Sequence, residues 1–124
     1  MRGGMVLGLV CLALIPSQAM AHVGLVGTGV ESCGEFGARY QSSPALAEVS
    51  SFTWAQGFMS GLNEAANIHG EPTADLSSIS VDEQKQKIRL FCDQHPVMNY
   101  GTAVLAIYMS LKKVPAVPFT PQFK

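Results

Sequence analysis

Charge is scarce in this chain. Of its 124 residues only 14% are charged, eight Lys and Arg against nine Asp and Glu, with a formal net charge of −1. Such a balance leaves no electrostatic footprint for nucleic acid or an anionic membrane surface. No serine sits in a G-x-S-x-G elbow. Gly27-x-Gly29 lacks the strand, helix and Lys that would make it a phosphate loop. There is no C-x-x-C and no C-x-x-C-H, so a thioredoxin-like redox site or an attached c-type haem is unsupported. Acids occur singly except for Asp82-Glu83, which reads as a helix N-terminus. These absences argue against an enzyme and imply no cofactor.

Long apolar runs are also missing, with one informative exception at the N-terminus. Arg2 precedes the apolar or small run Val6 to Ile15, Pro16 breaks it, and Ala19-Met20-Ala21 is a small-x-small pattern. The run is too short to span a bilayer, and the order of features is that of a secretory signal peptide over residues 1–21, cleaved after Ala21. The expected product is an exported, soluble protein of the bacterial periplasm, running from His22 to Lys124. It carries no membrane span, because no later apolar run approaches about 18 residues. Its 103 residues suit a single small domain.

Of three cysteines, Cys11 leaves with the signal peptide and Cys33 and Cys92 remain. In an oxidising compartment two cysteines most often join each other. Such a bridge closes a loop of 60 residues and stabilises by about 4 kcal/mol on chain-entropy grounds. Two free thiols, or half of a metal site, are the competing readings.

The remaining sequence has helical periodicity. Residues 22–31, HVGLVGTGV and Glu31, are glycine-rich and predict an extended leader. Ser32 with Glu35 is a capping-box pattern opening a helix over 32–41, with Cys33, Phe36 and Tyr40 on one side. Pro44 suits the first turn of a second helix over 44–69. Its inner stripe would be Leu46, Val49, Phe52, Ala55, Met59, Leu62 and Ala66, with Trp54, Phe58, Gly61 and Ala65 beside it. A polar connector, 70–79, leads to a third helix over 80–94 that opens on a second capping box, Ser80 with Glu83, and turns Val81, Ile88, Phe91 and Cys92 inward. A fourth, over 96–112, would bury Tyr100, Val104, Ile107, Tyr108 and Leu111. The tail, 113–124, holds three prolines and predicts an extended segment. No strand is expected. The fold class is thus all-α, a small four-helix domain over 32–112.

Gly57 and Gly61 interrupt the strongest helical signal. Each costs roughly 1 kcal/mol in a helix interior relative to Ala. Four residues apart, they share one face. Either a neighbouring helix or ring packs closely there, or they only loosen the helix.

Three histidines offer weaker signals. Once His22 is N-terminal, its amine and ring nitrogen form a copper-chelating pair, to which His69 or His95 would add a third nitrogen. Ordinary surface histidines are the competing reading. The connector from Gly70 to Ser80 is either a contact loop on a rigid body or a spacer.

Cys33, the run Trp54-x-x-Gly57-Phe58-x-x-Gly61, and Phe91-Cys92-x-x-His95-Pro96 together resemble the Rap/Tai-type immunity proteins. These are small periplasmic proteins that protect bacteria from peptidoglycan-amidase effectors of type VI secretion systems. The resemblance covers about Ser32 to Lys112 and marks Trp54, Gly57, Phe58, Gly61 and Pro96 as scaffold positions. It implies a protein-binding inhibitor, often dimeric, that occludes a cell-wall amidase effector. In size, helical content and single disulfide the chain is more distantly similar to the acid-stress chaperones HdeA and HdeB, which makes a periplasmic acid-stress chaperone the alternative function.

Overall fold

The computed structural model describes residues 24–118. Residues 1–23, which include the segment expected to be a signal peptide and His22, and residues 119–124 at the end of the tail lie outside the described residues.

Four helices carry the fold: α1 Cys33–Ser42, α2 Pro44–Ile68, α3 Val81–Gln94 and α4 Tyr100–Ser110. The domain is mostly helical, as its periodicity predicted. Ser32 caps α1 with both arms of the capping box in place. The Ser32 hydroxyl accepts from the Glu35 N–H (3.2 Å) and the Glu35 carboxylate accepts from the Ser32 N–H (2.8 Å). Pro44 opens α2, where its missing N–H is harmless. Gly70, at φ +70°, ends that helix in the left-handed region that favours glycine. Ser80 caps α3 with one arm only, accepting from the Glu83 N–H at 3.1 Å. The Glu83 carboxylate turns instead to Lys87, 3.5 Å away.

α4 starts four residues later than its sequence suggested. The Pro96 and Met98 carbonyls accept from the Gly34 and Cys33 N–H groups, at 2.9 and 2.7 Å. They therefore satisfy orphan donors of α1 rather than opening a new helix. Asn99 becomes the cap, its Oδ1 accepting from the Thr102 N–H at 2.7 Å.

Two further expectations are corrected. The leader is not simply extended: Gly27–Val30 forms a 3-10 turn with Gly29 buried. Its glycines let the turn lie flat on α2 and α4. A small sheet is also present. β1, Thr73–Ala74, pairs antiparallel with β2, Lys113–Val114. Asn63 explains the pairing, because its side chain accepts from the Ala74 N–H and donates to the Ala74 carbonyl, both at 2.8 Å. This clasp holds the connector straight enough for the tail to pair with it.

The core gathers Cys33, Phe36, Phe52, Ala55, Met59, Ile88, Cys92, Tyr100 and Val104. All five residues expected inward on α4 are buried. On α2 the stripe is displaced. Leu46 and Val49 are 71% and 64% exposed, while Ala47 and Ser51 are buried. α1 lies against that part of α2, and its Arg39 donates to the Ser51 hydroxyl at 3.0 Å. Only small residues fit beneath it. Val81 is exposed and Gln84 takes the inner position, donating to the Leu76 carbonyl at 2.7 Å. Cys33 and Cys92 are joined as a disulfide between α1 and α3.

Candidate docking groove on the second helix

Trp54 and Phe58, one turn apart on α2, stack with ring centroids 5.0 Å apart and an interplanar angle of 14°. The 3-10 turn fixes the indole. Trp54 Nε1 donates to the Val26 carbonyl at 3.1 Å, and the ring lies over Gly29. Beyond the rings the helix surface drops to bare backbone at Gly57 and Gly61. A Cβ built on either would meet nothing within 4 Å. The result is an open, mainly apolar groove of about 470 Å³, walled by Leu25 and Val26 on one side and floored by Gly57 and Gly61.

Trp54, Gly57, Phe58 and Gly61 were expected as scaffold positions. The structure brings all four to one surface groove and leaves the two glycines exposed. Close packing against the glycines is therefore not found among the described residues. The close approaches belong to Gly29 and Gly101. A Cβ on Gly101 would lie 2.7 Å from Leu25 Cδ1 and 2.9 Å from the Gly29 carbonyl oxygen. Pro96 is at the α3–α4 turn, where its carbonyl caps α1.

Ion pairs tie the leader and the helices together away from the groove. Glu31 receives Arg39 through a two-pronged contact, Nε at 2.6 Å. That hydrogen bond raises the Arg39 pKa further above its ordinary value. Glu48 of α2 reaches across to Arg89 and Lys85 of α3. Burial, then the nearby Glu48 carboxylate, pushes the Tyr100 hydroxyl above its usual range and keeps it neutral. Hydrogen bonds from Ser32 hold the Glu35 carboxyl below its ordinary value, and those from Ser77 do the same for Asp75.

The other candidates fare differently. His69 caps the end of α2 and His95 the end of α3, both exposed, with the His95 ring 4.5 Å from that of Phe91. His22 lies outside the described residues. Among the described residues no three His, Cys, Asp or Glu side chains gather as a metal site. The connector is half anchored: Thr73 and Ala74 are buried, and Asp75 closes the exposed Ser77–Ser78 turn. A larger groove of about 890 Å³ runs along α3 and α4, with Glu83 and Lys87 near Leu90 and Phe91. No described helix is long and apolar enough to cross a membrane.

The sequence reading missed Leu25 and Val26 as walls of the groove. A glycine-rich leader carries no periodic signal, and only the Trp54 hydrogen bond places it. Asn63 was missed because an Asn inside an amphipathic helix reads as solvated. Its partners are distant in sequence, and the Tyr108 hydroxyl donates to the same Oδ1 at 2.8 Å. None of the known families, curated proteins or solved structures compared matches the chain.

Proposed function

We propose that this is an exported protein-binding inhibitor of the immunity type, which neutralises a peptidoglycan-amidase effector by covering its catalytic cleft and performs no catalysis itself. The observation that carries the reading is the groove. Trp54, Gly57, Phe58 and Gly61, the residues of the motif that resembles the Rap/Tai-type proteins, lie together on an open apolar surface. A rigid aromatic pair beside bare backbone is suited to hold a protein partner, since aromatic anchors in a pocket dominate such interfaces. The disulfide and the signal-peptide pattern support a periplasmic setting.

The test is a native pull-down with the tagged mature chain from its own envelope fraction, followed by a peptidoglycan-cleavage assay on the captured protein. A stoichiometric cell-wall hydrolase, inhibited by the wild type and at least tenfold less by Trp54→Ala, is the expected result. A captured hydrolase that keeps its activity in the complex refutes the inhibitor.

One feature favours a second reading, the acid-stress chaperone. Carboxylate–cation contacts, Glu31–Arg39 and Glu48 with Arg89 and Lys85, hold the leader and helices together. Contacts of this kind are the ones an acid-triggered opening would have to break. An apolar dye bound near pH 2 to 3, with loss of near-ultraviolet dichroism, would support that reading.

A further inference from the structure

Gly37 stands in the middle of α1, where glycine weakens a helix relative to alanine. A Cβ built on it would meet nothing within 4 Å, so close packing does not explain it. It lines a cleft of about 190 Å³ between α1 and α3. Phe36, Tyr40 and Gln41 complete the α1 side, and Arg89 and Asp93 form the α3 side. The cleft shares no residue with the groove on α2. Arg89 and Asp93 are one turn apart on their helix, a spacing at which opposite charges ordinarily pair. Here Arg89 turns to Glu48 instead, and its guanidinium lies 5.3 Å over the Tyr40 ring. Glu48 is shared with Lys85, so it answers the Arg89 charge only in part. One guanidinium nitrogen makes that contact, and the others donate to no described residue. Asp93 is exposed, and among the described residues its carboxylate forms no ion pair. The cleft therefore presents a cation and an anion that do not neutralise each other, beside two aromatic rings 6.0 Å apart.

We propose that this cleft binds a small neutral α-amino acid as its zwitterion. The ligand's carboxylate accepts from the unused guanidinium N–H groups of Arg89, and its ammonium donates to the Asp93 carboxylate. Its short side chain lies over the bare backbone of Gly37, against the rings of Phe36 and Tyr40. A ligand of one charge answers one pole and leaves the other unpaired, which is how the cleft selects a zwitterion over a simple acid or amine. Size selects within the class. The volume equals that of about six waters, which matches the heavy atoms of alanine and leaves no room for a long side chain.

So few atoms, held by two charge-assisted contacts at an open cleft, give a Kd on the order of 1 mM. Binding joins α1 to α3 on the side of Tyr40 and Asp93, a second link between helices already tied by Cys33–Cys92, and stabilises the fold by mass action. This inference does not rest on the amidase partner proposed above, and a chain that takes up no amino acid would leave that proposal standing.

Titration of the mature, disulfide-intact chain with L-alanine and with D-alanine up to about 20 mM, followed by amide nuclear magnetic resonance, tests it. The expected result is a saturable shift at Gly37, Gln41 and Asp93 with at least one of the two. Propionate, which lacks the ammonium, and ethylamine, which lacks the carboxylate, should each bind at least tenfold more weakly. Asp93→Asn and Gly37→Leu should each weaken alanine binding at least tenfold while the helical dichroism stays unchanged. Absence of a saturable shift with both forms of alanine overturns the proposal. So does propionate binding as tightly as alanine, or an Asp93→Asn chain that binds alanine like the wild type.

Discussion

Gly29→Ala isolates the contact that fastens the leader to the helical body. The backbone of Gly29 suits any residue, so the substitution acts through space alone. A Cβ there would clash with the Trp54 ring, 3.0 Å from Cε2 and nearer still to Cζ2 and Cη2. The ring cannot yield cheaply. It is stacked on Phe58, packs at 6.2 Å edge-on to Tyr100, and donates to the Val26 carbonyl. Overpacking of this kind costs about 1–3 kcal/mol, and losing the indole hydrogen bond adds about 1 kcal/mol. Alanine's smaller unfolded-state entropy returns about 0.5 kcal/mol. The net expectation is a loss of about 2 kcal/mol, or roughly 10 °C in Tm for a domain of this size. Urea unfolding followed by tryptophan emission measures it directly, because Trp54 is the single tryptophan. The native emission should also move to the red as the indole becomes wetter. Gly57→Ala is the matched control. With nothing within 4 Å, it should stabilise the fold by about 0.5–1 kcal/mol. A Gly29→Ala midpoint within error of the wild type, with unchanged emission, would refute the packing argument.

Asn63→Ala removes three hydrogen bonds, two to Ala74 and one from Tyr108, and should cost about 2–3 kcal/mol by chemical denaturation. Hydrogen exchange should speed up at Ala74 and Val114 in that variant, and unchanged exchange there would contradict the clasp. Replacing both Cys33 and Cys92 by Ser should cost about 4 kcal/mol, given the 59-residue separation; thiol titration of the unfolded wild type should find no free thiol in mature protein. Glu35 has a lowered pKa in the folded protein, so its capping box contributes stability above the ordinary carboxylate range. That contribution is lost as pH falls through the lowered value. Glu35→Gln should therefore flatten the acid limb of the stability curve, and identical wild-type and variant acid limbs would refute the assignment.

How much of the candidate site was legible differs residue by residue. Trp54, Gly57, Phe58 and Gly61 stood out as a group, because two glycines at helical spacing contradict the propensity around them. Their role did not. A face shown to a neighbour and a face shown to solvent have the same spacing, and the leader that walls the groove has no period to place it. The exposure of Leu46 and Val49 was hidden for the same reason: an apolar stripe gives the angle of a helix but not the width of the element packed on it. Arg39 on Ser51 sets that width.

The sequence by itself determined the helical class, the approximate span of α1, α2 and α3, their capping residues, and the Cys33–Cys92 pairing. Those features depend on interactions within a few residues, or on there being only one cysteine pair to make. Tertiary structure alone decided that Gly29 and Gly101, not Gly57 and Gly61, are the close contacts. It also moved the start of α4 to Tyr100 and paired the connector with the tail. In each case the deciding partner is remote: the Trp54 ring for Gly29, the N–H groups of α1 for the 96–98 carbonyls, and Asn63 for Ala74. Local propensity constrains a residue's backbone, but whether space is filled and which donor meets which acceptor depend on where the rest of the chain comes to lie.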